Sequence, residues 1–258
     1  MIMPADINDT LVVPPREKNL DKHPLTIFRT PGLLARWPLI GVVMVVLGGL
    51  LFGAMAINLQ THGPLLQVDA RVSNDLHVIA LHSLPAIRGV MIFGFYLGEH
   101  GIVAIGLILV LYFLYKRFWP ELSMVVIAWA GEGTIWLVLS QYFNRARPVF
   151  DVPVWHQMTA PGFPSGHTIS AVMCFGLLAY LLVPKIPSRF WKVVVIVTAV
   201  LVILYIGFSR MFVGDHYLTD VLAGYGLGVA WSGLVYTLVE VISKKKMMHR
   251  ISKTHSGL

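Results

Sequence analysis

The sequence predicts an all-α integral membrane protein: a six-transmembrane-helix bundle with an additional amphipathic interfacial helix. Three observations predict it. Six apolar runs of near-membrane length recur along the 258 residues. Only 13% of residues are charged, against ~25% in soluble domains, and mean hydropathy is +0.72. The runs are continuous rather than alternating, which selects helices over a barrel. These runs give one membrane domain over residues 37–243, between a polar N-terminal tail, 1–36, and a basic C-terminal tail, 244–258.

The tail comes first. Pro14, Pro15, Pro24 and Pro31 break any long helix there. The first apolar run begins only near Trp37 and is too long for the core of a signal peptide, so none is expected. Trp37 to Ile57 carries no charge and is long enough to cross ~30 Å of hydrocarbon. From His62 to Leu97 apolar residues mix with Asp69, Arg71, Asp75, His77, His82 and Arg88, and Val68 to Leu81 reads as the amphipathic helix. The second run is Gly101 to Tyr115, with two readings upstream: it starts near Gly98, or Gly89 to Leu97 extend it into a long tilted helix holding Glu99 and His100. Leu122 to Leu139 is the third run, interrupted by Glu132. Thr168 to Val183 is the fourth, Val193 to Phe208 the fifth, and Val221 to Val239 the sixth. Trp191 and Lys192 flank the fifth as interfacial anchors.

Lysine and arginine placement sets an orientation. With both tails in the cytosol, the cytosolic pieces hold 15 of the 20 basic residues. This accounts for a formal charge of +7 and a pI near 9.6 without a nucleic-acid partner. The other side keeps Arg71, Arg88, Arg145, Arg147 and Arg210. The single cysteine, Cys174, lies within an apolar run and excludes an internal disulfide and a thiolate metal cluster.

Three of those five arginines belong to three short stretches rich in chemistry. His216 and Asp220 are four residues apart at the start of the sixth run, so a helix puts both on one face. The carboxylate then orients one imidazole nitrogen and leaves the other as a directed lone pair, the arrangement of an activated nucleophile or base. A structural histidine beside a capping aspartate is the plainer reading of the same letters. Pro164-Ser165-Gly166-His167 precedes the fourth run. Amide groups at a helix start, with glycine allowing close approach, cradle an anion, and the Ser165 hydroxyl adds a donor. His167 then stands where a general acid would; an ordinary N-cap reads equally from the same letters. Arg145, Arg147 and Arg210 each offer paired N–H groups to phosphate oxygens and never lose their charge. Ser209 adds a hydroxyl beside Arg210.

Together the stretches resemble the signature of the type 2 phosphatidic acid phosphatase superfamily, the lipid phosphate phosphatases: KxxxxxxRP, PSGH and SRxxxxxHxxxD. The second motif is complete at Pro164 to His167 and the third at Ser209, Arg210, His216 and Asp220. In the first, Arg147-Pro148 match, but Ser140 occupies the lysine position. The resemblance implies that His216 attacks phosphorus and forms a phosphohistidine, that Asp220 orients it, and that His167 protonates the leaving oxygen and then activates water. It implies that Arg147, Arg210, Ser165 and the Gly166 amide hold the phosphoryl oxygens, with no cofactor and no metal. Arg145 is expected to compensate for the absent lysine by binding phosphate.

The expected protein is a multi-pass plasma-membrane lipid phosphatase, its partners a lipid phosphate and the surrounding lipids. Its site faces the periplasm or the extracellular side, and its substrate is a lipid phosphomonoester or isoprenoid diphosphate. A phosphotransferase using the same site and a phosphate-binding transporter are the alternatives; the absence of an inverted repeat speaks against the second. Glu132, between Gly131 and Gly133, reads first as an interhelix hydrogen-bonded or protonated acid in a close helix contact, and second as a partner for the site. His100, His156 and Asp215 read as loop residues, and Trp155 and Phe163 as contacts for lipid or the interface.

Overall fold

The computed structural model describes residues 38–156 and 158–256, so the N-terminal tail and Trp37 lie outside the described residues. Every regular element described is helical. In chain order they are α1 (Pro38–Gln60), α2 (Leu65–His82), α3 (Pro85–Tyr96), a π-helical turn (Leu97–Gly101), α4 (Ile102–Lys116), α5 (Trp119–Phe143), α6 (Gly166–Leu182), α7 (Arg189–Phe212) and α8 (Leu218–Ser256). Six helical stretches are long and apolar enough to cross a membrane: α1, α3 through α4, α5, α6, α7 and the first part of α8. Exposed valines, leucines and isoleucines cover the outer faces of α1, α4, α5 and α7, as a lipid solvent requires.

The second span resolves the two readings. Helical turns run unbroken from Pro85 to Lys116, with Glu99 and His100 inside the π turn. Pro85 opens it, where a missing N–H has no intrahelical partner to lose. Arg117, in the left-handed conformation at φ 55°, closes α4. The sixth run also continues past its expected end: α8 extends to Ser256, because its lysine-rich segment holds good helix formers and neither Gly nor Pro.

Helix α2 is the expected amphipathic element. Asp69, Ser73 and Ala80 are buried at helical spacing, while Val68, Val78 and Ile79 face outward. It packs against α1, α7 and α8. The Phe163 side chain is wholly buried against Phe52 and Phe143, so it belongs to the core and not to a lipid-facing surface.

Lipid tails are as apolar as leucine, so helices in a bilayer associate through close backbone approach and polar contacts. The α1–α8 pair shows the first. Gly41 and Gly48 of α1 meet Gly226 and Gly233 of α8. A Cβ on Gly226 would lie 2.7 Å from the Gly48 carbonyl oxygen and 2.8 Å from the Phe52 nitrogen, so only glycine permits this seam. Polar contacts join α5 to its neighbours. The Trp231 indole donates to the Ala128 carbonyl at 3.0 Å, and the Ser170 hydroxyl donates to Glu132 at 2.8 Å. Glu132 is thus an interhelix hydrogen-bonded acid, the first of its two readings.

Candidate active site

The motif residues sit at the C-terminal ends of α5 and α7 and at the N-terminal ends of α6 and α8. Antiparallel neighbours bring all four ends to one face of the bundle. The basic turns at Lys116–Arg117 and Lys185–Arg189 therefore lie at the other. The segment after α5 carries Arg145 and Arg147 and is tied down where the Gly162 amide donates to the Arg145 carbonyl at 2.8 Å. The Ser165 amide donates to the Asp220 carbonyl at 3.1 Å, joining the start of α6 to the start of α8.

The start of helix α8 fixes the His216–Asp220 pair. The Tyr217 carbonyl accepts the first helical bond, from the Val221 amide, so Tyr217 stands at the N-cap. Asp220, three residues on, reaches back: its Oδ2 accepts the Tyr217 amide at 2.9 Å, the carboxylate half of a capping box. The same oxygen lies 3.5 Å from His216 Nδ1. On the far side of the ring, Arg147 Nη1 is 3.1 Å from His216 Nε2. A guanidinium only donates, so Nε2 is the acceptor and the ring proton sits on Nδ1, facing Asp220. The His216 lone pair is therefore directed at Arg147 Nη1.

His167 lies beside His216. Its ring centroid is 6.3 Å from that of His216, at 65°. Among the described residues, His167 Nδ1, the Ser165 hydroxyl, Arg210 Nε and His216 Nδ1 are buried without a hydrogen-bond partner. The first amides of α6, Gly166 onward, have no intrahelical acceptors. Uncompensated donors are costly in a protein interior, and an anion would satisfy those of His167, Ser165, Arg210 and the helix start.

Asp215 and Phe95 complete the frame, and sequence reasoning missed both. Asp215 is a loop residue, between α7 and α8, and is buried there. Its Oδ1 accepts from Arg147 Nη1 at 2.5 Å and its Oδ2 from Arg210 Nη1 at 3.4 Å, so one carboxylate holds both guanidiniums. The Phe95 carbonyl accepts from Arg210 Nη2 at 2.6 Å, and its ring lies 3.8 Å beneath the same guanidinium. The available signal was Asp215 itself, an acid a few residues after an apolar helix that ends in a buried arginine. For Phe95 no sequence signal existed.

Arg145, Ser209 and Ser140 occupy positions other than phosphate contacts. Arg145 donates through Nη1 to Asp220 Oδ1 at 2.5 Å and to Thr219 Oγ1 at 2.7 Å, and through Nη2 to Asp69 Oδ2 at 2.7 Å. Burial works against its charge, but the carboxylates of Asp220 and Asp69 outweigh burial and hold its pKa above the ordinary value. It stands behind Asp220, on the side away from His216. The Ser209 hydroxyl donates to the Ile206 carbonyl of its own helix at 2.7 Å, and the Ser140 hydroxyl to the Leu137 carbonyl at 3.1 Å. His100 and His156 are exposed, and Trp155 meets Tyr96 edge to face at 6.1 Å.

Among the described residues, His167, Asp215 and His216 present ligand atoms within 4.8 Å of one another, a spacing a cation would accept. The charge balance does not suit one. Asp215 is already shared by two arginines, and both guanidiniums lie beside it. A cluster of two fixed cations, two imidazoles and a helix N-terminus favours an anion.

The fold and this cluster define a multi-pass membrane protein with a candidate anion site at one end of its bundle. Residues 121–244 match the PAP2 superfamily. The chain is 34% identical over 135 residues to Phosphatidylglycerophosphatase B of Bacillus subtilis (strain 168), a match spanning 52% of this chain and 63% of that protein. It is also similar to the crystal structure of a transmembrane PAP2-type phosphatidylglycerolphosphate phosphatase from Bacillus subtilis. There the identity is 28% and the TM-score 0.60, over 80% of this chain and 96% of the other. Over residues 121–244 the chain is thus similar to proteins of the PAP2 superfamily.

Proposed function

We propose that this protein is a membrane lipid phosphatase that hydrolyses a lipid phosphomonoester through a phosphohistidine on His216. An isoprenoid diphosphate is the second substrate class the site admits, and the relatives' names favour a phosphatidylglycerophosphate-type headgroup. One observation carries the reading: His216 Nε2 accepts from Arg147, the His167 ring lies beside the His216 ring, and Asp215 holds Arg147 and Arg210 together there. Phosphoryl transfer asks chiefly for this, an aligned nucleophile and fixed positive charge around the equatorial oxygens.

The reaction runs in two displacements. His216 Nε2 attacks phosphorus while His167 gives its proton to the departing lipid oxygen, so the P–O bond breaks and an alcohol leaves. As positive charge develops on the His216 ring, Asp220 Oδ2 stabilises it at Nδ1. Water then attacks the phosphohistidine, His167 takes its proton, and the P–N bond breaks to release orthophosphate. Arg147, Arg210, the Ser165 hydroxyl and the Gly166 amide hold the oxygens throughout. Metal independence follows from this assignment. Ser209 and Arg145 take supporting roles, one in helix contact and one behind Asp220.

Purified protein in detergent, offered phosphatidylglycerophosphate, phosphatidic acid and an isoprenoid diphosphate, is expected to release orthophosphate without an added acceptor. His216→Ala abolishes release, vanadate inhibits it, and a chelator leaves the rate unchanged. Release only in the presence of a second lipid or sugar acceptor would instead establish a phosphotransferase. Loss of activity on chelation would overturn the metal-free mechanism.

A further inference from the structure

Helix α2 lies outside the six spans and outside the segment that matches the superfamily, yet it reaches the heart of the site. Asp69 projects from its buried face and is 1% exposed. Its Oδ1 accepts the Thr219 amide at 2.9 Å, and its Oδ2 accepts the Thr219 hydroxyl at 2.5 Å and Arg145 Nη2 at 2.7 Å. Thr219 is in the first turn of α8, where amides lack intrahelical acceptors. A carboxylate from another helix therefore caps the helix that carries Asp220, beside His216.

The second consequence is electrostatic. The guanidinium of Arg145 is divided: Nη1 goes to Asp220 Oδ1 and Nη2 to Asp69 Oδ2. Tyr217 stacks under it, 4.4 Å from ring centre to the guanidinium carbon. With Asp69 in place, Arg145 grips only one oxygen of Asp220 and fixes its rotation. The other oxygen, Oδ2, stays on His216 and the Tyr217 amide. Without Asp69, Arg145 is free to take both oxygens of Asp220, which turns the carboxylate away from the imidazole. A second contact holds α2 to the same region: the His77 ring stacks on Phe150 of the arginine-bearing loop, with centroids 3.8 Å apart.

We propose that Asp69 is a positioning residue of the reaction, supplied by the amphipathic helix, which aims Asp220 at His216 by sharing Arg145 and capping α8. The proposal rests on the phosphatase reading. Asp69 touches no reacting atom; it acts through Arg145 and Thr219.

The test is steady-state kinetics on the full chain in detergent with a lipid phosphomonoester, beside wild type and His216→Ala. Asp69→Asn keeps an oxygen for the Thr219 amide but turns an NH2 group, or nothing anionic, toward Arg145. It is expected to lower kcat by about 10- to 100-fold with KM within about twofold, the mark of an interaction made for the transition state. Arg145→Lys is expected to cost a similar factor. The Asp69→Asn/Arg145→Lys double variant is expected to be no slower than the worse single one, because both remove the same link. Thr219→Val keeps every backbone bond and loses only the hydroxyl between Asp69 and Arg145; it guards against an Asn variant that fails to fold and is expected to lower kcat by about 3- to 10-fold at unchanged KM. Additive single effects, or a rise in KM at constant kcat, overturn the proposal. So does an unchanged kcat in Asp69→Asn while wild type turns over. A wild type inert on every lipid phosphate overturns the phosphatase reading, and this proposal with it.

Discussion

Asp215 shows how much one buried carboxylate decides. It is the shared counter-ion of Arg147 and Arg210, and its Oδ2 is also 3.7 Å from His216 Nε2. Leaving a buried charge without its partner costs about 3–5 kcal/mol. Asp215→Asn is therefore expected to melt at a lower temperature than wild type. It leaves two guanidiniums whose best remaining partner is an anion, so inorganic phosphate or vanadate should raise its melting temperature by more than it raises that of wild type. An equal or smaller rise would mean that the arginines do not face the anion. The motif letters made His167, His216, Asp220, Arg147 and Arg210 legible in the sequence, because their spacing is local or falls at helix starts. Asp215, Phe95 and Asp69 were not legible as site residues. Phe95 acts through a backbone carbonyl, which any residue supplies. Asp69 meets Arg145 across 76 positions and Thr219 across 150. Its one sequence mark is an acid on the inward stripe of α2, in line with Ser73 and Ala80.

At the level of elements, the π turn at Leu97–Gly101 is the least predictable feature and lies beside the site. Turns of this kind insert one residue into a helix and re-aim the turns beyond it. Here the turn brings Gly98 against α7. A Cβ on Gly98 would lie 2.7 Å from Ile206 Cγ2 and 3.2 Å from Arg210 Nη2. Misplacing a positioning group by ~1 Å costs about 100-fold in rate. Gly98→Ala, which forces Ile206 or Arg210 to give by several tenths of an ångström, is expected to lower kcat/KM by about 10-fold on the same scale. Gly89→Ala in α3 meets nothing within 4 Å and serves as the control, with unchanged kinetics. The six spans themselves were legible, since long apolar runs carry the helix signal directly. Their ends were not: α4 had its continuation hidden behind Glu99 and His100, and α8 outran its apolar stretch because lysines continue a helix as well as leucines do.

Across the whole molecule, the motif end and the basic end are opposite, and from the positive-inside rule we propose that the motif end faces away from the cytosol. Cys174 is fully buried, so the chain has almost no background for thiol labelling. Val149 on the arginine-bearing loop is 79% exposed, and Ser188, between α6 and α7, is exposed at the other end. Val149→Cys is expected to react with a membrane-impermeant maleimide on intact cells, and Ser188→Cys only after permeabilisation; the reverse pattern would invert the orientation. The bundle also transmits geometry along its length. The glycine seam between α1 and α8 sits ~15 Å below His216 at Gly226 and ~25 Å below it at Gly233, at 1.5 Å per residue. Helix α8 is the post on which His216 and Asp220 stand, and the seam is where that post is socketed. A single methyl group added in the socket would lift or lean the post, and the imidazole at its top would shift without any residue of the candidate site having changed.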